Sequence, residues 1–494
     1  MPTLLRTIEV ASMSYQLPDL TGFTVIEGGI SEFNAEPGID DAVLFKGGVG
    51  VANLADGTNR AVFEQGFGTV TSGDGDDTFH FSALGGILLA GHGDNSVFAK
   101  LRVDNVSTGD GDDQVEMFGN ADGVTALLGG GDNSFVTHSG VIHKVIGGGG
   151  IDTFKVFGAG EIDLGDGPQN SLVAESFVWK VFGGTGMDMV TLGASGPSEE
   201  SDAATVELGE GRDTLSANNW IHVVRLGDGN DRADLAGGAS LVSLGAGHDT
   251  LNIDFWFNMI SAGAGNDRIT TGDGNKVFLG AGNDIVWSAG AVSMLHAGLG
   301  DDKIRSLAQA DAVTLGAGDD VLGKAVGPSV VGYVSDLRAG AGHDTIHKIA
   351  GAGTVTLGSG ADTFSSIGDV GVVHAGHGAD TVMLGGAGTV FGGGGTDYLS
   401  NHVASTFLMG GQNRDAFIFH DDATQYDFFD GGKGFDTLVV SVADDARKAQ
   451  VEAFLVTYRG INADFDVASA HNFYIDELNL EFQGIENIAV DVIA

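Results

Sequence analysis

Short runs in which apolar and polar residues alternate recur down most of the chain, and each run ends in a glycine-rich loop. Val313-Thr314-Leu315, Leu241-Val242-Ser243-Leu244 and Val355-Thr356-Leu357 are examples, with apolar side chains on one side and Ser or Thr on the other. A period of two marks a strand that buries one face. Past each loop a second apolar column stands two positions after an aspartate or asparagine: Phe79, Val97, Val115, Phe135, Phe154, Val190, Leu215, Leu251, Ile269, Ile304, Leu322, Ile346, Phe364, Val382, Leu399, Phe417 and Leu438. Two short strands per unit are thus predicted, both facing inward. Loops begin at Gly227, Gly245, Gly263, Gly280, Gly298 and Gly316, and again at Gly340, Gly358 and Gly376, an interval of about 18 residues. A fixed interval of this size predicts a solenoid in which each unit is one coil.

The expected fold is all-β: a right-handed parallel β-roll or β-helix of about 18 residues per coil, over residues 67–440. Residues 1–66 are expected to form an N-terminal capping segment, and 441–494 a C-terminal cap and secretion signal. Within that cap, residues 443–455 read as a short amphipathic helix, and 478–482 and 485–488 as strands. The six prolines fall at 2, 18, 37, 168, 197 and 328, outside every predicted strand, as an uninterrupted ladder requires. Insertions near 193–205 and 323–333 are expected at the turn opposite the glycine loops.

Composition sharpens this. Glycine accounts for 83 of 494 residues, yet 42% of the chain is hydrophobic, which argues against a solvated linker. The net charge of −44 disfavours nucleic acid and anionic membranes as partners and attracts cations. There is no cysteine, so neither disulfides nor thiolate metal sites contribute. Residues 1–10 show no Sec-type pattern, and no run approaches the roughly 18 apolar residues needed to cross a bilayer, so no membrane insertion is expected.

The candidate chemistry lies in the loops, which read Gly-x-Gly-x-Asp. Stacking the coils would place each loop aspartate above the next at about one strand spacing of 4.8 Å, a repulsive arrangement without counter-charge. Calcium takes six to eight oxygen ligands, and carboxylates with glycine-turn carbonyls supply them. The candidate metal ligands are Asp77, Asp113, Asp152, Asp188, Asp213, Asp231, Asp249, Asp267, Asp284, Asp302, Asp320, Asp344, Asp362, Asp380, Asp397, Asp415 and Asp436. Asn95, Asn133 and Asn170 hold the equivalent place in three early coils and are expected to bind weakly or not at all. The plainer alternative is that the aspartates cap turns through hydrogen bonds to the backbone.

These loops resemble the RTX (repeats-in-toxin) nonapeptide Gly-Gly-x-Gly-x-Asp-x-U-x, with U apolar; the nearest match is Gly431-Gly432-Lys433-Gly434-Phe435-Asp436-Thr437-Leu438-Val439. The resemblance covers about residues 70–440. It implies a calcium-binding β-roll exported through a type I exporter of a Gram-negative bacterium, folding outside the cell on meeting Ca²⁺. The terminal Asp491-Val492-Ile493-Ala494 is similar to the acidic-then-apolar end of such proteins. The family carries the motif on both half-turns, whereas most coils here carry it once, so one row of Ca²⁺ is expected.

On this basis the chain is expected to be a secreted structural or adhesive protein of the cell surface or extracellular matrix. Its partners would be sister molecules or a surface polysaccharide. Trp220, Phe255, Trp256 and Trp287 are candidates for that contact, or else pack the opposite edge. The alternative is a polysaccharide-modifying enzyme of epimerase or lyase type, but no basic cluster joins a Tyr or His, and no catalytic residue is assigned. His248, His343 and His377 sit at variable loop positions and read as solvated. A pore-forming toxin would need an apolar helical domain ahead of the repeats, which the sequence does not contain.

Overall fold

The computed structural model describes residues 20–193, 204–324, 331–402, 405–420, 426–461, 473–475 and 478–492. The chain divides into two compact units, Met1–Gly237 and Gly238–Ala494. Each is an all-β solenoid of parallel strands.

In the second unit a short strand follows each loop and pairs in register with its counterpart one coil on, as Thr250 with Arg268 and Leu251 with Ile269. A longer strand leads into each loop and pairs likewise, as Val242 with Ile260 and Gly245 with Gly263. The first unit repeats this, with Leu172 opposite Val190 and Val145 opposite Ile162. Strand alternation then sorts the side chains: the column two positions past the loop residue is fully buried from Phe79 to Leu438, facing Val242, Leu244, Ile260 and their equivalents. The apolar columns legible in the sequence are therefore the core.

Both insertions leave the register intact. Gly184 still faces Gly209, and Gly316 still faces Gly340. Each lies between a short strand and the following long one, at the turn opposite the glycine loops, although most of their residues fall outside the described ones. Pro37 and Pro168 lie outside strands; the other four prolines lie outside the described residues.

The ends differ from the expected boundaries. Residues 24–66 already form coils of the same ladder: Thr24–Ile26 pairs in parallel with Ala42–Phe45, and Ile30–Asn34 with Val49–Asn53. Their loops have lost the glycine pattern, but their core carries stacked rings, Phe45 on Phe63 at a centroid distance of 4.7 Å and Phe63 on Phe81 of the following coil at 5.1 Å. At the other end the helix Asp445–Ile461 begins where Asp444 Oδ1 accepts the Arg447 N–H at 2.7 Å, an N-cap bond. Among its described side chains Val451 and Leu455, one turn apart, are the buried ones. The chain then resumes the solenoid, with Leu480–Gln483 pairing with Asp427–Lys433 and Asn487–Val492 with Thr437–Val442, both in parallel. Phe473–Ile475 adds an antiparallel strand beside Leu480–Gln483. Among the described residues no helix is long and apolar enough to cross a membrane.

Candidate metal centre

Most loops turn on two glycines with positive φ; in the Asp415 loop Asn413 takes the second place at 81°. In one coil the two glycines are Gly263 at 115° and Gly265 at 128°, and a Cβ on Gly265 would lie 1.7 Å from the Gly247 carbonyl oxygen. No other residue fits so close an approach. The Gly265 N–H donates to the Ala281 carbonyl at 2.7 Å, which locks adjacent loops together. The turn drives the next side chain but one, Asp267, into the interior, where it is 1% exposed.

All the candidate aspartates stand in this position and are buried. They form a ladder in which the backbone N–H of one rung donates to Oδ1 of the next: Asp249 to Asp267 at 2.8 Å, Asp267 to Asp284 at 2.7 Å, Asp284 to Asp302 and Asp302 to Asp320 at 2.8 Å. The same bond runs from Asp320 through Asp344, Asp362, Asp380, Asp397 and Asp415 to Asp436. In the first unit it links Asp188 to Asp213 and Asp213 to Asp231. The capping role weighed as the plainer reading is thus real, but it uses only one carboxylate oxygen.

A second, exposed ladder runs the opposite way along the residues before many of the rungs. Asp112 N–H donates to Asp94 Oδ1 at 2.8 Å, and Asp319 N–H to Asp301 Oδ1 at 2.9 Å. His248 and His343 belong to it: each accepts a backbone N–H at Nδ1 at 2.7 Å, from Asn266 and Ala361. They are exposed, as their sequence position suggested, but they have a structural task.

The inner ladder is longer than the motif. Asn59 N–H donates to Asp77 Oδ1 at 2.8 Å, and Asp41 N–H to Asn59 Oδ1 at 3.1 Å. At the far end Asp436 N–H donates to Glu486 at 2.6 Å. Sequence reasoning missed these rungs because Asp41 and Glu486 lack the Gly-x-Gly approach; only the 18-residue step from Asp77 back to Asn59 and Asp41 could have found the first two.

The asparagine rungs reveal what surrounds the second side-chain atom. Asn95 Nδ2 donates to the Gly93 carbonyl at 2.8 Å and to the Thr108 carbonyl of the next coil at 3.0 Å. Asn59 Nδ2 reaches the Gly57 carbonyl at 3.0 Å, and Asn133 Nδ2 the Gly131 carbonyl at 3.1 Å. This pocket is walled by carbonyl oxygens. In the aspartate rungs Oδ2 occupies the same place and is buried without a hydrogen bond in Asp152, Asp188, Asp213, Asp267, Asp284, Asp302, Asp320, Asp344, Asp362, Asp380, Asp397, Asp415 and Asp436. A point beside Gly183, where a Cβ would sit, is 2.3 Å from Asp188 Oδ2 and 2.2 Å from the Leu208 carbonyl oxygen; beside Gly392 the distances to Asp397 Oδ2 and the Gly410 oxygen are both 2.6 Å. The Oδ2 atoms of Asp77 and Asp113 are likewise buried without a hydrogen bond, but beside them stand Ser72 and Thr108, whose hydroxyl protons go to the Ala90 and Leu128 carbonyls at 2.5 and 3.0 Å.

An ionised carboxylate facing carbonyl oxygens is unfavourable, and burial pushes these carboxyls well above the usual range: to about 6 for Asp188 and Asp436, about 7 for Asp267, Asp320 and Asp397, and about 8 for Asp302, where neighbouring carboxylates add to the effect. Either a proton or a cation relieves the conflict. The donor set of one carboxylate oxygen and turn carbonyls per rung is all hard oxygen, which fits Ca²⁺. Among the described residues no three His, Asp or Glu side chains converge on one point, so an ion must draw most of its ligands from backbone carbonyls.

No protein-family model matches the chain, and no curated protein matches it. Of the candidate contact aromatics, Phe255 and Trp256 are exposed at the turn opposite the loops, while Trp287 is half-buried with the Arg305 guanidinium 5.7 Å from its ring centroid. Trp220 is half-buried beside the strand Ile221–Asp228.

Proposed function

We propose that this chain is a secreted, calcium-binding structural or adhesive protein of a bacterial cell surface or extracellular matrix. Its aspartate ladder takes up Ca²⁺ between coils, and its folded state depends on that uptake. The observation that supports the reading is the row of buried Oδ2 atoms aimed at carbonyl oxygens with no donor between them. A lone cap would not need a charge there, since asparagine supplies the same Oδ1 acceptor and also satisfies the carbonyls. The resemblance of the loops to RTX repeats points the same way. Calcium then acts as a stability switch: a chain whose aspartate rungs lack the ion at low cytosolic Ca²⁺ is weakly folded, passes a type I exporter and is stabilised outside. Adhesion or self-assembly follows from a chain given over almost wholly to coils.

Calcium titration of metal-stripped protein, followed by circular dichroism and small-angle scattering at pH 7.5, tests the reading. Strand signal and compactness should rise together with Ca²⁺ and fall in chelator. A protein equally compact and equally stable in chelator and in saturating Ca²⁺ defeats it. Imaging after calcium addition reports whether the folded protein assembles.

A further inference from the structure

The inner ladder is not uniform. From Asp41 to Asp188 its rungs strictly alternate between acid and amide: Asp41, Asn59, Asp77, Asn95, Asp113, Asn133, Asp152, Asn170, Asp188. Beyond Asp188 every rung to Asp436 is an aspartate in both units. We infer that divalent cations bind only between successive aspartate rungs, and that the alternating stretch stacks without them. The inference rests on the calcium reading above and assigns its sites.

Three features of the alternating stretch argue for this. First, the amides consume the ligands an ion would need: Asn95 Nδ2 takes the Gly93 and Thr108 carbonyls, and Asn170 Nδ2 takes the Gly165 carbonyl at 3.2 Å and Asp188 Oδ1 at 3.1 Å. Second, beside Asp77 and Asp113 a hydroxyl already occupies the next coil's carbonyl, Ser72 on Ala90 and Thr108 on Leu128. Third, an intervening amide doubles the gap between carboxylates from about 4.8 Å to about 10 Å, which at least halves their repulsion. Asp152 has Gly147 in place of a hydroxyl residue, but its neighbours in the ladder are Asn133 and Asn170.

The all-aspartate stretch has none of these devices. Residues before its loops are Leu, Ala or Gly, with no hydroxyl to offer, and no amide stands in any rung. An ion placed between Asp284 and Asp302 would meet carboxylates of both coils, each with a buried Oδ2 that makes no hydrogen bond. The first coils can therefore form in a calcium-poor medium, while most of the second unit waits for the ion.

The test uses the full chain and Ca²⁺ itself, with hydrogen–deuterium exchange resolved by peptide and bound calcium counted by equilibrium dialysis. In chelator, loop amides between residues 73 and 170 should keep their protection, while those between 263 and 436 should exchange at least 100-fold faster than with Ca²⁺. Converting Asn95, Asn133 and Asn170 to Asp should add bound ions and make the first stretch calcium-dependent. Converting alternate rungs Asp284, Asp320 and Asp362 to Asn should remove ions and leave that stretch protected in chelator. Equal calcium response of the two stretches, or an ion count unmoved by both triple variants, overturns the assignment. Binding of no calcium anywhere overturns the calcium reading itself, and the assignment with it.

Discussion

Replacing Asp302 by Asn should stabilise the protein in chelator and destabilise it in calcium. Asp302 is fully buried, its Oδ1 accepts the Asp284 N–H at 2.8 Å, and its Oδ2 has no hydrogen bond. Asparagine keeps the first bond and turns Nδ2 toward the loop carbonyls, as Asn95 does. Without metal, burial and the flanking carboxylates of Asp284 and Asp320 push the Asp302 carboxyl up to about 8, so the folded chain holds a proton that the unfolded chain releases near 3.8. Folding thus binds a proton between these values, and stability falls as pH rises through that window. At about 1.36 kcal/mol per pH unit, holding the proton from 3.8 to 7 costs about 4 kcal/mol at most, and solvent screening with local relaxation brings the expected gain of the variant to about 1–3 kcal/mol. Urea unfolding in chelator should therefore show no difference between wild type and Asp302→Asn at pH 4 and a more stable variant at pH 7. In millimolar Ca²⁺ the order should reverse, because the variant has lost a ligand. If Asp302→Asn is destabilising in chelator at pH 7, or the order is the same with and without calcium, the oxygen-walled pocket is refuted.

Other consequences concern the scaffold. Phe364→Ala removes a fully buried ring from the inner column and should cost about 3–5 kcal/mol, read as a lower urea midpoint at saturating calcium. Gly360→Ala places a Cβ 1.7 Å from the Gly342 carbonyl at a φ of 136°, so it should destabilise by roughly 2 kcal/mol or more and weaken calcium uptake, measured by calorimetry. Asp444→Ala removes the N-cap of the helix Asp445–Ile461 and should cost about 1 kcal/mol, seen as faster amide exchange in its first turn.

What the sequence discloses of this fold depends on whether a feature is carried by periodicity or by a single contact. The inward column from Phe79 to Leu438 was readable because strand alternation forces every second side chain to one face, and a register slip would expose all of them. The ladder aspartates were readable because the loop that aims them inward favours glycine in nearly every coil. The coils at residues 24–66 were not, because their turns keep the fold without the motif: Ala55 adopts a φ of 57° where later coils use glycine, and stacked phenylalanines supply the cohesion. The return of the chain to the solenoid after the helix was hidden for a similar reason, since Glu486 replaces an aspartate rung by reaching one methylene further. Least visible was the meaning of the early asparagines. As letters they are weaker ligands; in the folded chain their Nδ2 groups fill the pocket that holds an unbonded Oδ2 in rungs such as Asp284 and Asp302. The alternation of acid and amide is thus a statement about charge spacing along the ladder, and it becomes legible only once neighbouring coils are known to share the same hydrogen bond.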